Sequence, residues 1–148
     1  TIHFVMAGTG DLLPKMIRRV AQLKMGANFH FTGFLKGNDV DQMFAMSDVF
    51  VMPSISEPFG IVPLEAMRLD VPCVISKQSG VSEVLENVLK VDFWDINGLA
   101  DSIYGLCHYP KLSEHFKKAG KEEVDNLKWE FASKKIKDVY EKAINLKK

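Results

Sequence analysis

Short apolar runs rich in β-branched and aromatic residues recur at Ile2–Ala7, Asn28–Thr32, Val49–Met52, Pro72–Ser76 and Val88–Val91, and each is followed by a longer segment with helical spacing. No other feature restricts the fold as much. After the first run, Leu12, Leu13, Met16, Ile17, Val20 and Leu23 mark one face of a helix, with Lys15, Arg18, Arg19 and Gln22 on the other. Strands that are apolar throughout, joined by crossover helices, predict a parallel sheet with helices on both faces and right-handed connections, the Rossmann-like α/β layer sandwich. Beyond Val91 only helical spacing remains, over Gly98–Tyr109, Leu112–Leu127 and Glu130–Leu146, so the reading adds a helical C-terminal tail. Its last helix carries Phe131, Ile136, Val139, Tyr140 and Ala143 on one apolar side.

The length, with no internal repeat, low-complexity tract or linker, predicts a single domain over residues 1–148. The 19 basic side chains are matched by 19 acidic ones, which argues against an extended nucleic-acid footprint. Cys73 and Cys107 fit no zinc or redox spacing, and a reducing cytoplasm is the expected compartment. No apolar stretch approaches the roughly 20 residues of a membrane span. The start at Thr1 rather than Met leads us to expect a piece of a longer protein.

In sheets of this kind ligands bind beyond the carboxyl ends of the strands, which directs attention to the loops leaving each strand. The first, Ala7-Gly8-Thr9-Gly10-Asp11, has two glycines that permit a tight turn and close approach of a ligand. A dinucleotide fingerprint needs a third glycine where Leu13 stands, and an acidic residue near Asn28 that is not there, so a nicotinamide site is set aside. An ordinary strand-to-helix turn capped by Asp11 accounts for the same residues. The loop at Gly33-Phe34-Leu35 follows the second strand, and Ser79-Gly80-Val81-Ser82 and Lys77 follow the fourth; Lys77 reads as a solvated loop lysine. Asp92-Phe93-Trp94-Asp95 reads as a turn with buried aromatics whose aspartates cap the next helix.

The segment from Met52 to Met67, MPSISEPFGIVPLEAM, is the most constrained. Glu57 in a loop and Glu65 in the first turn of a helix flank Gly60, which can bring backbone amides close to a ligand. Pro63 near the first helical position sacrifices no hydrogen bond, and the free amides and dipole at that end favour a phosphate. An ionised Glu65 has two acceptor oxygens for neighbouring ribose hydroxyls, and Glu57 can serve a sugar in the same way. Two solvated acids that merely suit a helix start are the simpler alternative.

The same segment resembles the signature of the family 4 retaining glycosyltransferases, two glutamates separated by seven residues around a Phe-Gly pair, and is most similar to the starch and glycogen synthase-like members. The resemblance runs from Gly8-Thr9-Gly10-Asp11 through Phe31-Thr32-Gly33-Phe34, Ser47-Asp48-Val49-Phe50 and Ser79-Gly80-Val81-Ser82-Glu83-Val84 to Trp129 and Tyr140. It implies the C-terminal half of the two-domain GT-B architecture and the donor-binding part of a hexosyltransferase, with the donor a UDP-, ADP- or GDP-sugar. By that resemblance Glu57 is the catalytic residue at the donor sugar and Glu65 holds the ribose. Phe59, Gly60, Ile61 and Val62 offer backbone amides to sugar and diphosphate, Gly33, Phe34 and Leu35 lie along the base, and Gly8 and Gly10 line the donor. The Ser79 loop departs from the family's two consecutive glycines and is expected to make a sugar or phosphate contact.

The family's usual first strand, with the Arg and Lys that grip the diphosphate, is expected to precede Thr1, and Arg19 and Lys24 are not a substitute for it. The acceptor, a saccharide or other hydroxyl, is expected on an N-terminal Rossmann-like domain of the same polypeptide. The residues require no metal and no cofactor, and the isolated domain is expected to be inactive. Retaining transfer of a hexosyl unit, glucosyl above others, is the implied reaction. A nucleotide-sugar epimerase on the same architecture and a non-catalytic nucleotide-sugar-binding module are the alternatives.

Overall fold

The computed structural model describes residues 1–146, and only the backbone of Trp129 and Phe131, so their side chains lie outside the described set. The elements run β1 (Phe4–Ala7), α1 (Leu13–Gln22), β2 (Phe29–Gly33), α2 (Asn38–Ala45), β3 (Phe50–Met52), α3 (Val62–Arg68), β4 (Cys73–Ser76), β5 (Leu89–Val91), α4 (Ile96–His108), α5 (Pro110–Asn126) and α6 (Trp129–Asn145). Each apolar run became a strand, and every strand pair is parallel, as alternation with crossover helices requires. The architecture is Rossmann-like α/β. No helix among the described residues is long and apolar enough to cross a membrane.

Contacts divide the chain into two compact units, Thr1–Met43 and Phe44–Lys148, with the boundary inside α2. The strands correspondingly form two sheets, β1-β2 and β3-β4-β5. In the first unit burial alternates along β1 and β2, and Val5 is 45% exposed. Phe4, Phe29 and Phe31 pack together on the half-buried side, with ring centroids 5.6 and 5.2 Å apart. Helix α1 ends with Lys24 in the left-handed region (φ 57°), where Lys24 N donates to Ala21 O and Met25 N to Val20 O. This is the Schellman arrangement with lysine where glycine is usual. Its N-cap is Leu12, with no side-chain cap, so Asp11 does not play the capping role.

The second unit has a continuous core. Cys73, Val74, Ile75 and Ser76 of β4 are all buried, the one strand here that meets the expectation of cover on both faces. Val74, Val91 and Leu106 form its centre, with Val51, Leu89, Leu99 and Phe116 packed around them. Pro63, Ala66 and Met67 turn the inner face of α3 into this core. Helix α5 crosses α3 at Gly120, where an added Cβ would stand 3.1 Å from Met67 Cε. Beside that crossing Lys121 bridges Asp70 at 2.8 Å, and Glu123 accepts from the amides of Glu86 (2.7 Å) and Asn87 (2.8 Å). Helices α4 and α5 are thus integral to the layer, and the appended part of the tail is α6, whose described side chains are all exposed.

Candidate functional site

The parallel pairing of β3 with β4 runs Phe50 with Cys73, Val51 with Val74 and Met52 with Ile75, then breaks. It resumes at Glu57 with Ser79, so residues 53–56 stand opposite 76–78, with one residue extra on the β3 side. An extra residue of this sort bends a strand and re-aims the side chain that follows it. Here that side chain is Glu57. Gly80 N donates to Glu57 O (2.9 Å), Val81 N donates to Phe59 O (2.8 Å), and the Ser76 hydroxyl donates to Ser54 O (2.6 Å).

Gly80 is confined to glycine by space, because a Cβ there would lie 2.1 Å from Pro58 O. Gly60 is confined by conformation and space together: its φ is +86°, and a Cβ would stand 2.9 Å from Glu57 Cγ and 3.2 Å from Met52 Cε. The Gly60 turn therefore lies directly against the Glu57 stem, leaving Glu57 half-buried. From Gly60 the chain enters α3 with Ile61 as N-cap and Pro63 in the first turn, as expected. The amides of Gly60, Ile61 and Val62 donate to no acceptor among the described residues. Because α3 has only 7 residues, these amides, and not a long helix dipole, are what this end offers an anion. Glu65 lies in the same first turn and is exposed, on the side away from buried Ala66 and Met67. One loop and one helix turn thus bring together Glu57, Phe59, Gly60, Ile61, Val62 and Glu65.

The remaining candidates lie in the first unit, at the carboxyl ends of β1 and β2. Gly8 N donates to Gly33 O (2.7 Å), and Gly10 O receives the amide of Leu13 (3.0 Å). Phe34 is 68% exposed with the Lys36 ammonium 5.6 Å from its ring centre, while Leu35 is half-buried. An added Cβ at Gly8, Gly10 or Gly33 would meet nothing within 4 Å, so the space above these backbones is open.

Several expectations are corrected here. Ser79 is 2% exposed and its hydroxyl donates to Ser76 O (2.7 Å), so it is spent on the turn and not on a sugar or phosphate. Lys77 is solvated as expected, its side chain 53% exposed, but it is also paired: its ammonium bonds Asp92 Oδ2 at 2.9 Å, while Gln78 Nε2 bonds Oδ1. These bonds from Lys77 and then Gln78 hold the Asp92 carboxyl below the usual carboxylate range. Asp95 does cap α4, accepting from Gly98 N at 2.9 Å, but Asp92 is occupied with Lys77. Trp94, expected in a buried turn, is 62% exposed against the edge of Phe93. Sequence reasoning missed the clamp between the Glu57 loop and the turn at Gly80, although Ser76 at the end of an apolar run and the Ser79-Gly80 pair just after it were its visible signal.

The profile of a protein family described as "Glycosyl transferases group 1" matches residues 1–123. The chain is 35% identical over 114 residues to the sulfoquinovosyl transferase of Arabidopsis thaliana, covering 73% of this chain and 22% of that protein. It is 30% identical over 147 residues to an uncharacterized glycosyltransferase of Methanocaldococcus jannaschii, covering 96% of this chain and 37% of that one. Among solved structures, sucrose-phosphate synthase from Thermosynechococcus elongatus superposes with a TM-score of 0.77 at 25% identity, over 96% of this chain and 38% of that one. The chain therefore spans well under half the length of these relatives.

Proposed function

The chain belongs to the group 1 glycosyl transferases, and on that premise we propose that it is the donor-binding part of a retaining hexosyltransferase. The observation that carries the reading is the pinned loop that sets Glu57, three unpaired amides and Glu65 in succession within one loop and one helix turn. Glu65 accepts from the two ribose hydroxyls of a nucleoside diphosphate sugar, for which an exposed carboxylate with two acceptor oxygens is suited. The amides from Phe59 to Val62 meet the diphosphate and the sugar, and Glu57 is the catalytic carboxylate at the donor sugar. The backbone at Gly33, Phe34 and Leu35 lies along the base, and Gly8 and Gly10 complete the donor's surroundings.

In this design the protein accelerates transfer by orienting the donor and stabilising the departing diphosphate, with no covalent enzyme nucleophile. The whole protein is a cytoplasmic enzyme that transfers a glucosyl unit from a UDP-, ADP- or GDP-sugar to a saccharide or other hydroxyl, needs no cofactor, and takes its acceptor on an N-terminal Rossmann-like domain. The test is a two-dimensional NMR titration with UDP-glucose, ADP-glucose and GDP-mannose, repeated on Glu65→Ala, joined to product analysis on the full-length protein. Shifts at Gly8–Asp11, Gly33–Lys36 and Ser56–Ala66 that vanish in the variant support the reading. No binding by the full-length protein, or an epimerised nucleotide sugar as its product, refutes it.

A further inference from the structure

We propose that Ser76 and Gly80 are positioning residues that set the direction of the Glu57 carboxylate; this rests on the donor-site reading above. Glu57 occupies the bridge at which the chain after β3 pairs again with the chain beyond β4, one residue out of the earlier register, so this backbone pairing, not loop flexibility, decides which way its side chain leaves the backbone. That pair survives only if the intervening residues 53–56 are held out of the ladder and the returning segment closes over Gly80.

Both requirements are met from the β4 side. The Ser76 hydroxyl, 0% exposed, takes Ser54 O at 2.6 Å and so fixes the middle of the excursion. Gly80 lets the Pro58 carbonyl pass where a Cβ would stand 2.1 Å from its oxygen, and its own amide takes Glu57 O. The turn that presents them is itself tied by buried serines, since Ser79 Oγ donates to Ser76 O (2.7 Å) and Ser82 Oγ to Lys77 O (2.8 Å). Neither Ser76 nor Gly80 offers a free polar group to a ligand. Each acts through Glu57, which Gly60 then holds from the other side at its Cγ.

The test measures, in the full-length protein, affinities for UDP-glucose, ADP-glucose and GDP-mannose and for the matching nucleoside diphosphates. Its readout is the ratio of sugar-nucleotide to nucleotide affinity, because Glu57 serves the sugar while Glu65 serves the ribose. In Ser76→Ala this ratio is expected to fall roughly fivefold, the worth of about one lost hydrogen bond, with nucleoside diphosphate affinity unchanged. In Gly80→Ala it falls to the level of Glu57→Gln. In a Glu57→Gln background neither substitution lowers it further, the signature of residues acting through one group.

Ser76→Ala removes a single oxygen, so it keeps the test open if Gly80→Ala does not fold. A ratio unchanged in Ser76→Ala overturns the proposal. So does a parallel loss of both affinities, which is what general loosening would give, or an additive loss beside Glu57→Gln. If Glu57→Gln and Glu65→Ala themselves bind every ligand as the wild type does, the donor-site reading fails and this one with it. If only those two lose binding, the positioning role alone fails.

Discussion

Replacing Glu123 by alanine should destabilise the second unit by about 3 kcal/mol, from one side chain on the surface of α5. The Glu123 carboxylate accepts three hydrogen bonds, from the amides of Glu86 and Asn87 and from the Asn87 side chain at 3.1 Å. Hydrogen bonds to a charged acceptor contribute about 1.5–3 kcal/mol each, less where water can replace the partner. The Glu86 amide is exposed and recovers most of its loss from solvent, whereas Asn87 is half-buried and does not. One full bond and two partial ones give the estimate. Both tryptophans, Trp94 and Trp129, lie in the second unit, so fluorescence-detected urea unfolding reports on it directly. The midpoint should fall with m unchanged, and the melting temperature should fall by roughly 10–15 °C. Glu122→Ala, one residue away and exposed, serves as control and should stay within about 0.5 kcal/mol of wild type. A Glu123→Ala midpoint equal to that of the control would refute the idea that this carboxylate fastens α5 to the segment before β5.

Lys24→Gly should stabilise the end of α1 by about 0.5–1 kcal/mol, because lysine at φ 57° carries the left-handed strain that glycine avoids; slower hydrogen exchange at the Leu23 and Met25 amides checks it. Burial pushes the Cys73 thiol up to about 12, so native protein at pH 8 should show only Cys107 reacting with a thiol reagent, and Cys73 should join it only on unfolding. The Asp92 carboxyl is lowered in the folded state, so its contribution is complete above the ordinary aspartate value of about 3.9 and is lost as pH falls through the lowered one; the stability deficit of Asp92→Asn should shrink in acid unfolding over that range. The Lys121 ammonium is raised by Asp70, so the reverse holds at high pH: its contribution is whole below about 10.4 and fades as pH climbs through the raised value, which Lys121→Met would reveal as a flattened alkaline limb.

What the sequence made legible is what local periodicity and backbone chemistry decide. Strand and helix order followed from apolar spacing, and the places of Pro63, Gly60 and Asp95 followed from rules that act within a few residues. What it hid depends on pairs distant along the chain. The ion pair of Lys77 was hidden because its partner Asp92 lies 15 residues away, just past the end of β5, and Ser79 looked available because nothing local showed that its hydroxyl would be consumed in closing a turn. Trp94 looked buried because aromatics beside a strand usually are, but only Phe93 of that pair turns inward. The same division runs through the candidate site. Glu57 and Glu65 could be named from their spacing, since each supplies its own chemistry. The residues that aim Glu57 supply none, and only the resumed pairing with Ser79 and the clash awaiting a Cβ at Gly80 give them a reason to be serine and glycine.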